Sequence, residues 1–431
     1  MGHLHGVKEQ YRELVERLAA GHVGMPEPRD PRAREGWREI LEILFTPDEA
    51  ALASRLPVRP MSLGRLAALL GVDAASLRAR LEPLCEKGIV FDLVDPRGGE
   101  PVYVLAPPVV GFFEFSLMRT VGGIPKKRLC EAYEAYFHGD DTFVREVFGF
   151  DTSPGRALVH EDRIADEPMP DVLGWERATE VVESATAWSV GSCYCRHKAQ
   201  HLGRACDVPV ELCLSLNGGA EFVARRGFGR AIEKGEALDL LAAARARGLV
   251  QLCDNVQQRP AWLCNCCACC CELLGTIARC DLPAVNPSGF LPRLDPERCS
   301  GCSRCARACP VGAIAMEPVR AAAQRKNALA PRCDEERCVG CGVCAGACLK
   351  GALAMVRAER PRVPANMVER AVRMSLERGR LAELLVDGGD RLGTRFLRQA
   401  LSALTRLPPA TRLLASEQVR SRFVRAALAR T

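Results

Sequence analysis

Several features are scarce in this 431-residue sequence. Aromatic residues make up 5% of it, and lysine supplies only 8 of the 59 basic residues, against 51 arginines. Codon usage explains the lysine shortage as readily as chemistry does. No uninterrupted apolar run reaches membrane-spanning length. The most apolar stretch, residues 101–118, is broken by Pro107, Pro108 and Glu114, so no transmembrane helix is expected. The opening residues 1–8 lack the apolar core of a signal peptide, and a cytoplasmic protein is expected. A dinucleotide-binding glycine fingerprint, a phosphate-cradling loop and an obvious acid–base pair are all missing, which argues against flavin or nicotinamide chemistry within the chain.

What is present describes a folded protein. Hydrophobic residues account for 48% and charged residues for 26%, values that exclude a disordered or fibrous chain. At roughly 150 residues per domain, the length suggests two to four domains. The net charge of +6 is mild. The outlying quantity is 23 cysteines. They are odd in number and many are too close together to pair with one another, so thiolates held by metal in a reducing compartment explain them better than disulfides.

The expected fold is multidomain and mainly α with α+β parts. Residues 1–108 read as N-terminal helices and a winged-helix-like segment. Thr46, Pro47 and Glu49 open a helix with a capping box. A short helix at 62–70, a turn at Gly71–Asp73, a helix at 74–87 interrupted by Pro83, and a hairpin at 89–105 then follow in winged-helix order. Residues 109–180 read as a helical connector, 181–285 as a cysteine-rich cluster-binding domain, and 286–356 as a two-cluster ferredoxin domain. Residues 357–431 form a basic helical tail, with 16 arginines against 7 acids.

Two tandem runs carry the strongest signal. Cys299-x2-Cys302-x2-Cys305-x3-Cys309-Pro310 is followed by Cys338-x2-Cys341-x2-Cys344-x3-Cys348. The x2 spacing wraps three sulfurs around one face of a cubane, with Gly301, Gly340 and Gly342 letting backbone amides approach. The fourth cysteine of such a run serves the opposite cluster. Cys299, Cys302, Cys305 and Cys348 would therefore hold one [4Fe–4S] cluster, and Cys338, Cys341, Cys344 and Cys309 the other. The runs, with the continuation from Cys309 to Ile314, resemble the bacterial two-cluster ferredoxin family. That resemblance spans about 60 residues and implies a small pseudo-twofold α+β module that transfers single electrons. Leu349 stands where the second proline of the family would be, and Cys333 is an additional thiol.

Further cysteines crowd the centre. Cys193, Cys195, Cys206 and Cys213 supply four thiolates, the number one cubane or one zinc ion requires. Cys264, Cys266, Cys267, Cys269, Cys270 and Cys271 pack six sulfurs into eight residues, and adjacent cysteines cannot all face one ion. Thiolate-only ligation selects Fe–S clusters, zinc or Cu(I). The two cubanes already expected favour at least one further Fe–S cluster over zinc or metal-free redox thiols. The blocks 193–197 and 264–267 resemble a group of prokaryotic ferredoxin-type proteins in which such a domain precedes the two-cluster module. That resemblance implies an architecture and no substrate. His197 and His201, four apart on a helix face, read as a hydrogen-bonded or surface pair rather than ligands. Arg196 and Lys198 read equally well as tuning charges or as solvated ones. Cys85 and Cys130 are expected to be buried small residues.

An iron–sulfur electron-transfer protein with redox partner proteins is the leading expectation. A redox-sensing winged-helix regulator and the electron-input chain of a reductase are the alternatives. Residues 62–105 carry five basic and six acidic side chains, which disfavours DNA and fits protein docking better. The basic tail is a candidate for peripheral membrane contact. No catalytic residue is identified.

Overall fold

The computed structural model describes residues 9–94, 99–119, 123–165, 172–319, 329–359 and 362–385. The chain gathers into two compact units, Met1–Thr152 with Met367–Thr431, and Ser153–Asn366. It is a mixed α/β multidomain protein, and no helix among the described residues is long and apolar enough to cross a membrane.

In the first unit, local chemistry sets the helix starts. The Thr46 hydroxyl accepts from the Glu49 amide while the Glu49 carboxylate accepts from the Thr46 amide at 2.8 Å, and Pro47–Ala53 follows. Helix Leu63–Leu70 ends at Gly71 in the left-handed conformation, and Asp73 accepts from the Ser76 amide to start Ala74–Glu86. That helix runs on through Pro83. Strand Val90–Leu93 pairs antiparallel with Val102–Leu105, whose other edge takes Met61–Ser62. Residues 95–98, at the expected hairpin turn, lie outside the described residues.

Helices Pro31–Leu44 and Lys126–His138 approach closely at Gly36, where a Cβ would stand 2.6 Å from the Ala132 carbonyl oxygen. Many of the few aromatics collect here, with Phe113 packed against Tyr133, Phe137 and Phe143. Cys85 and Cys130 are buried. Helices Met367–Glu377 and Leu381–Leu385 begin the basic tail, and its remainder, 386–431, lies outside the described residues.

The second unit departs from the mainly α expectation. Its centre is a seven-stranded sheet in the order Val285–Asn286, Gly155–Leu158, Val250–Asp254, Trp262–Cys266, Glu211–Leu216, Trp188–Ser192, Gly229–Ile232. Only the first pair is parallel. Gly155–Leu158 comes from the stretch expected to be a helical connector. All four of its residues are buried, so it lacks the polar–apolar alternation that would have marked a strand. Helices Ala178–Glu183 and Lys234–Ala246 cover one face around Val190, Leu214, Leu263, Leu241 and Cys253. Gly248, at φ +71°, ends the second of these.

Two short antiparallel pairs follow, Phe290–Leu294 with Leu353–Arg357 and Ile314–Pro318 with Leu329–Cys333. Between their strands sit the short helices Arg304–Ala308 and Val343–Gly346. This module is fastened to the sheet. His160 donates its amide to the Cys341 carbonyl at 3.0 Å, and its Nε2 lies 2.9 Å from the Leu249 carbonyl. The Arg357 guanidinium meets the buried Glu176 carboxylate at 2.8 Å on both oxygens, a bidentate geometry.

Candidate metal centre

The tandem runs fold as two related turns, each leading into a short helix. Gly301 and Gly340 both take φ +68°, and Gly342 takes +84°. Ser303, at the position matching Gly342, takes +60°. At Gly340 only glycine fits, because a Cβ would stand 2.3 Å from Ser288 Oγ and 2.4 Å from the Phe290 carbonyl. The fold brings Cys348 from the far end of the module to Cys299, Cys302 and Cys305, and these four line one cavity of about 180 Å³. Cys309 lies near Cys341 and Cys344 in turn. Matching amides cap the two crossing sulfurs: Ala313 N–H donates to Cys309 Sγ at 3.2 Å, and Ala352 N–H to Cys348 Sγ at 3.3 Å.

The thiols of this module differ with their surroundings. Burial pushes Cys341 up to about 12 and raises Cys305 and Cys344. The amide of Arg304 lowers the exposed Cys302. A buried thiolate is costly, and a bound cation offsets that cost by pairing with its charge, so a coordinating thiol is deprotonated. Cys333 hydrogen-bonds Cys338, which raises the Cys333 thiol and lowers that of Cys338. The additional cysteine therefore lies directly beside this group.

In the centre, the fold regroups the sulfurs. Cys264 and Cys266 alternate with Leu263 and Asn265 along one strand, so they share the face opposite Leu263 and Cys253. The register sets Cys213 against Cys264, with their sulfurs 3.7 Å apart. Cys193 and Cys271 are the N-caps of helices Tyr194–His201 and Glu272–Cys280, and Cys195 lies in the first turn of the former. The result is a chain of six neighbouring sulfurs, Cys193–Cys195–Cys271–Cys266–Cys264–Cys213. Sulfur-to-sulfur hydrogen bonds lower Cys193, Cys271 and Cys264 and raise Cys195, Cys266 and Cys213.

Cys206 does not join Cys193, Cys195 and Cys213. Its sulfur groups with those of Cys267, Cys269 and Cys270, all four within 4.8 Å of one another. Burial raises Cys267, and it lifts Cys270 to about 11. Burial opposes ionisation of Cys206 as well, yet the Val208 amide and the three neighbouring sulfurs lower it. Of the twelve central cysteines, Cys253 is packed in the apolar core and Cys280 is the last residue of helix Glu272–Cys280.

Arg196 and Lys198 are both buried, so the solvated reading of these charges does not hold. Arg196 donates to the Asn265 carbonyl at 2.5 Å and faces Cys193 of one sulfur group and Cys267 of the other. Lys198 Nζ lies 2.5 Å from the Glu272 carboxylate. His197 and His201 face each other with Nε2 atoms 3.2 Å apart. Reading the residues in order missed Glu272 and His160. Glu272 had a faint signal in its place directly after Cys271, whereas His160 had none.

Comparison with known proteins bears on one part of the chain. No curated protein and no solved structure gives a significant match. Residues 298–352 match the family model of the 4Fe-4S dicluster domain, and this iron–sulfur, metal-binding segment is accompanied by a cysteine-rich region.

Proposed function

We propose that the chain is an iron–sulfur electron-transfer protein. Its dicluster domain would hold two [4Fe–4S] clusters, one on Cys299, Cys302, Cys305 and Cys348 and the other on Cys338, Cys341, Cys344 and Cys309. The observation that carries this reading is the single cavity lined by Cys348 and the three leading cysteines of the other run. Clusters bound there supply one-electron transfer. The chain's own residues set the surroundings: amides of Ala313 and Ala352 hold the crossing sulfurs, and burial of Cys341 and Cys344 limits water. The reading places a further cluster on sulfurs of the six-membered central group, where Arg196 offsets thiolate charge.

The strands and helices of residues 61–105 support a winged-helix element that docks a redox partner protein. Arg65, Arg78 and Arg80 are exposed there, but the acids outnumber the bases, so DNA is the weaker partner. Iron and acid-labile sulfide analysis of anaerobically purified full-length chain tests the proposal. More than about eight irons together with more than about eight sulfides per chain, beyond the content of two cubanes, are expected. Eight irons with eight sulfides would remove the central cluster, and fewer sulfides would remove the two-cubane reading itself.

A further inference from the structure

The central sulfurs divide into two groups of different compactness: in the six-sulfur chain neighbours come as close as 3.7 Å, yet among the described residues no three of its sulfurs lie within 4.8 Å of one another, whereas all four of the other group do. In a cubane each thiolate binds a different iron, so the inorganic core stands between the cysteine sulfurs and keeps them far apart. Around one tetrahedral ion the four sulfurs sit at the corners of a small tetrahedron. A metal–sulfur bond of about 2.3 Å gives an edge of about 3.8 Å. Cys206 and Cys267 are 3.7 Å apart, Cys269 and Cys270 3.7 Å, and Cys206 and Cys270 3.9 Å. The whole set lies within 4.8 Å. Among the described residues neither ferredoxin set is drawn together in this way.

From this geometry we infer that Cys206, Cys267, Cys269 and Cys270 form a closed, mononuclear tetrathiolate site for one divalent ion of the zinc or iron class, separate from every iron–sulfur cluster. The backbone supports it. The amides of Val208, Cys270 and Cys206 face the sulfurs of Cys206, Cys267 and Cys270 respectively, the second-shell donors that orient a thiolate toward a metal. An apolar bed of Ala199, Leu212, Ala244 and Leu249 surrounds Cys267 and Cys270. Four protein ligands leave no open position, which is the arrangement of a structural ion. The site also accounts for the crowded run: Cys264, Cys266 and Cys271 face one group, and Cys267, Cys269 and Cys270 the other. Its ion would staple the loop bearing Cys206 to that run, with Arg196 spanning the two groups.

The test is metal and sulfide stoichiometry of full-length chain, unaltered and with Cys206→Ser or Cys269→Ser. Loss of one metal equivalent, zinc or iron, with acid-labile sulfide unchanged is expected, and the identity of the lost metal distinguishes the two ions. Loss of sulfide together with several irons would make the site a cluster and overturn the inference, leaving the electron-transfer proposal intact. Unchanged metal content would overturn it as well. Should the variants not fold, the unaltered chain decides. X-ray absorption or Mössbauer spectroscopy should find one ion with a four-sulfur shell at about 2.3 Å and no neighbouring metal, and failure to find such an ion refutes the site.

Discussion

Lys198 Nζ and the Glu272 carboxylate meet 2.5 Å apart, joining two helices whose N-terminal turns hold Cys195 and Cys271. Lys198 is buried and Glu272 nearly so. Removing one partner leaves the other as an uncompensated charge, which costs about 3–5 kcal/mol. Lys198→Ala is therefore expected to lower the unfolding midpoint of the second unit sharply in denaturant titration. Lys198→Met combined with Glu272→Leu should recover most of the loss. A double variant no better than the single one would show that the pair does more than balance charge.

The crossed sulfur sets make a spectroscopic prediction. Cys348→Ser should perturb the same cluster signal as Cys299→Ser, and Cys309→Ser the same signal as Cys338→Ser, although each pair spans both runs. Electron paramagnetic resonance of the reduced protein reads this directly. Pairing by run, with Cys309→Ser matching Cys299→Ser, would contradict it.

Cys253 faces the apolar core beside Leu263 while Cys264 and Cys266 face the other way. Cys253→Ala is expected to leave metal content unchanged and to cost about 1 kcal/mol of stability. Cys266→Ser, three register pairs along the same two strands, should lose metal. Metal loss in the Cys253 variant would show that the strand presents its faces otherwise.

Acid should weaken the first unit through His22. Burial and the guanidinium groups of Arg370, Arg378 and Arg380 lower its pKa to about 3, against about 6.5 in an unfolded chain. Between those values the unfolded state binds the extra proton, so stability falls as pH drops through that window. His22→Asn should flatten this dependence in a pH series of thermal unfolding followed at the tryptophan Trp37, which is buried in this unit. An unchanged slope would place the acid sensitivity elsewhere.

The legible parts of this protein were those in which chemistry is local. The spacing within Cys299–Cys309 and Cys338–Cys348 is set by turns of a few residues, and the glycines at 301, 340 and 342 mark those turns. Capping at Thr46 and Asp73 is equally local. The seven-stranded sheet was hidden because its strands are short and several, such as Gly155–Leu158, are buried on both faces. The partition of the central sulfurs was hidden for a deeper reason. Cys206 meets Cys267 across 61 positions of chain, and Cys213 meets Cys264 through strand register, neither of which spacing encodes.

The single residue between Cys264 and Cys266 has a consequence for how such a sequence can change over generations. A substitution at any one central cysteine deletes one ligand and leaves the others in place. Inserting or deleting one residue at Asn265 would instead rotate Cys264 toward the side now occupied by Leu263, because side chains along a strand alternate between faces. Point changes in this stretch subtract ligands one at a time, whereas a single length change keeps every cysteine but sets Cys264 and Cys266 on opposite faces of the strand.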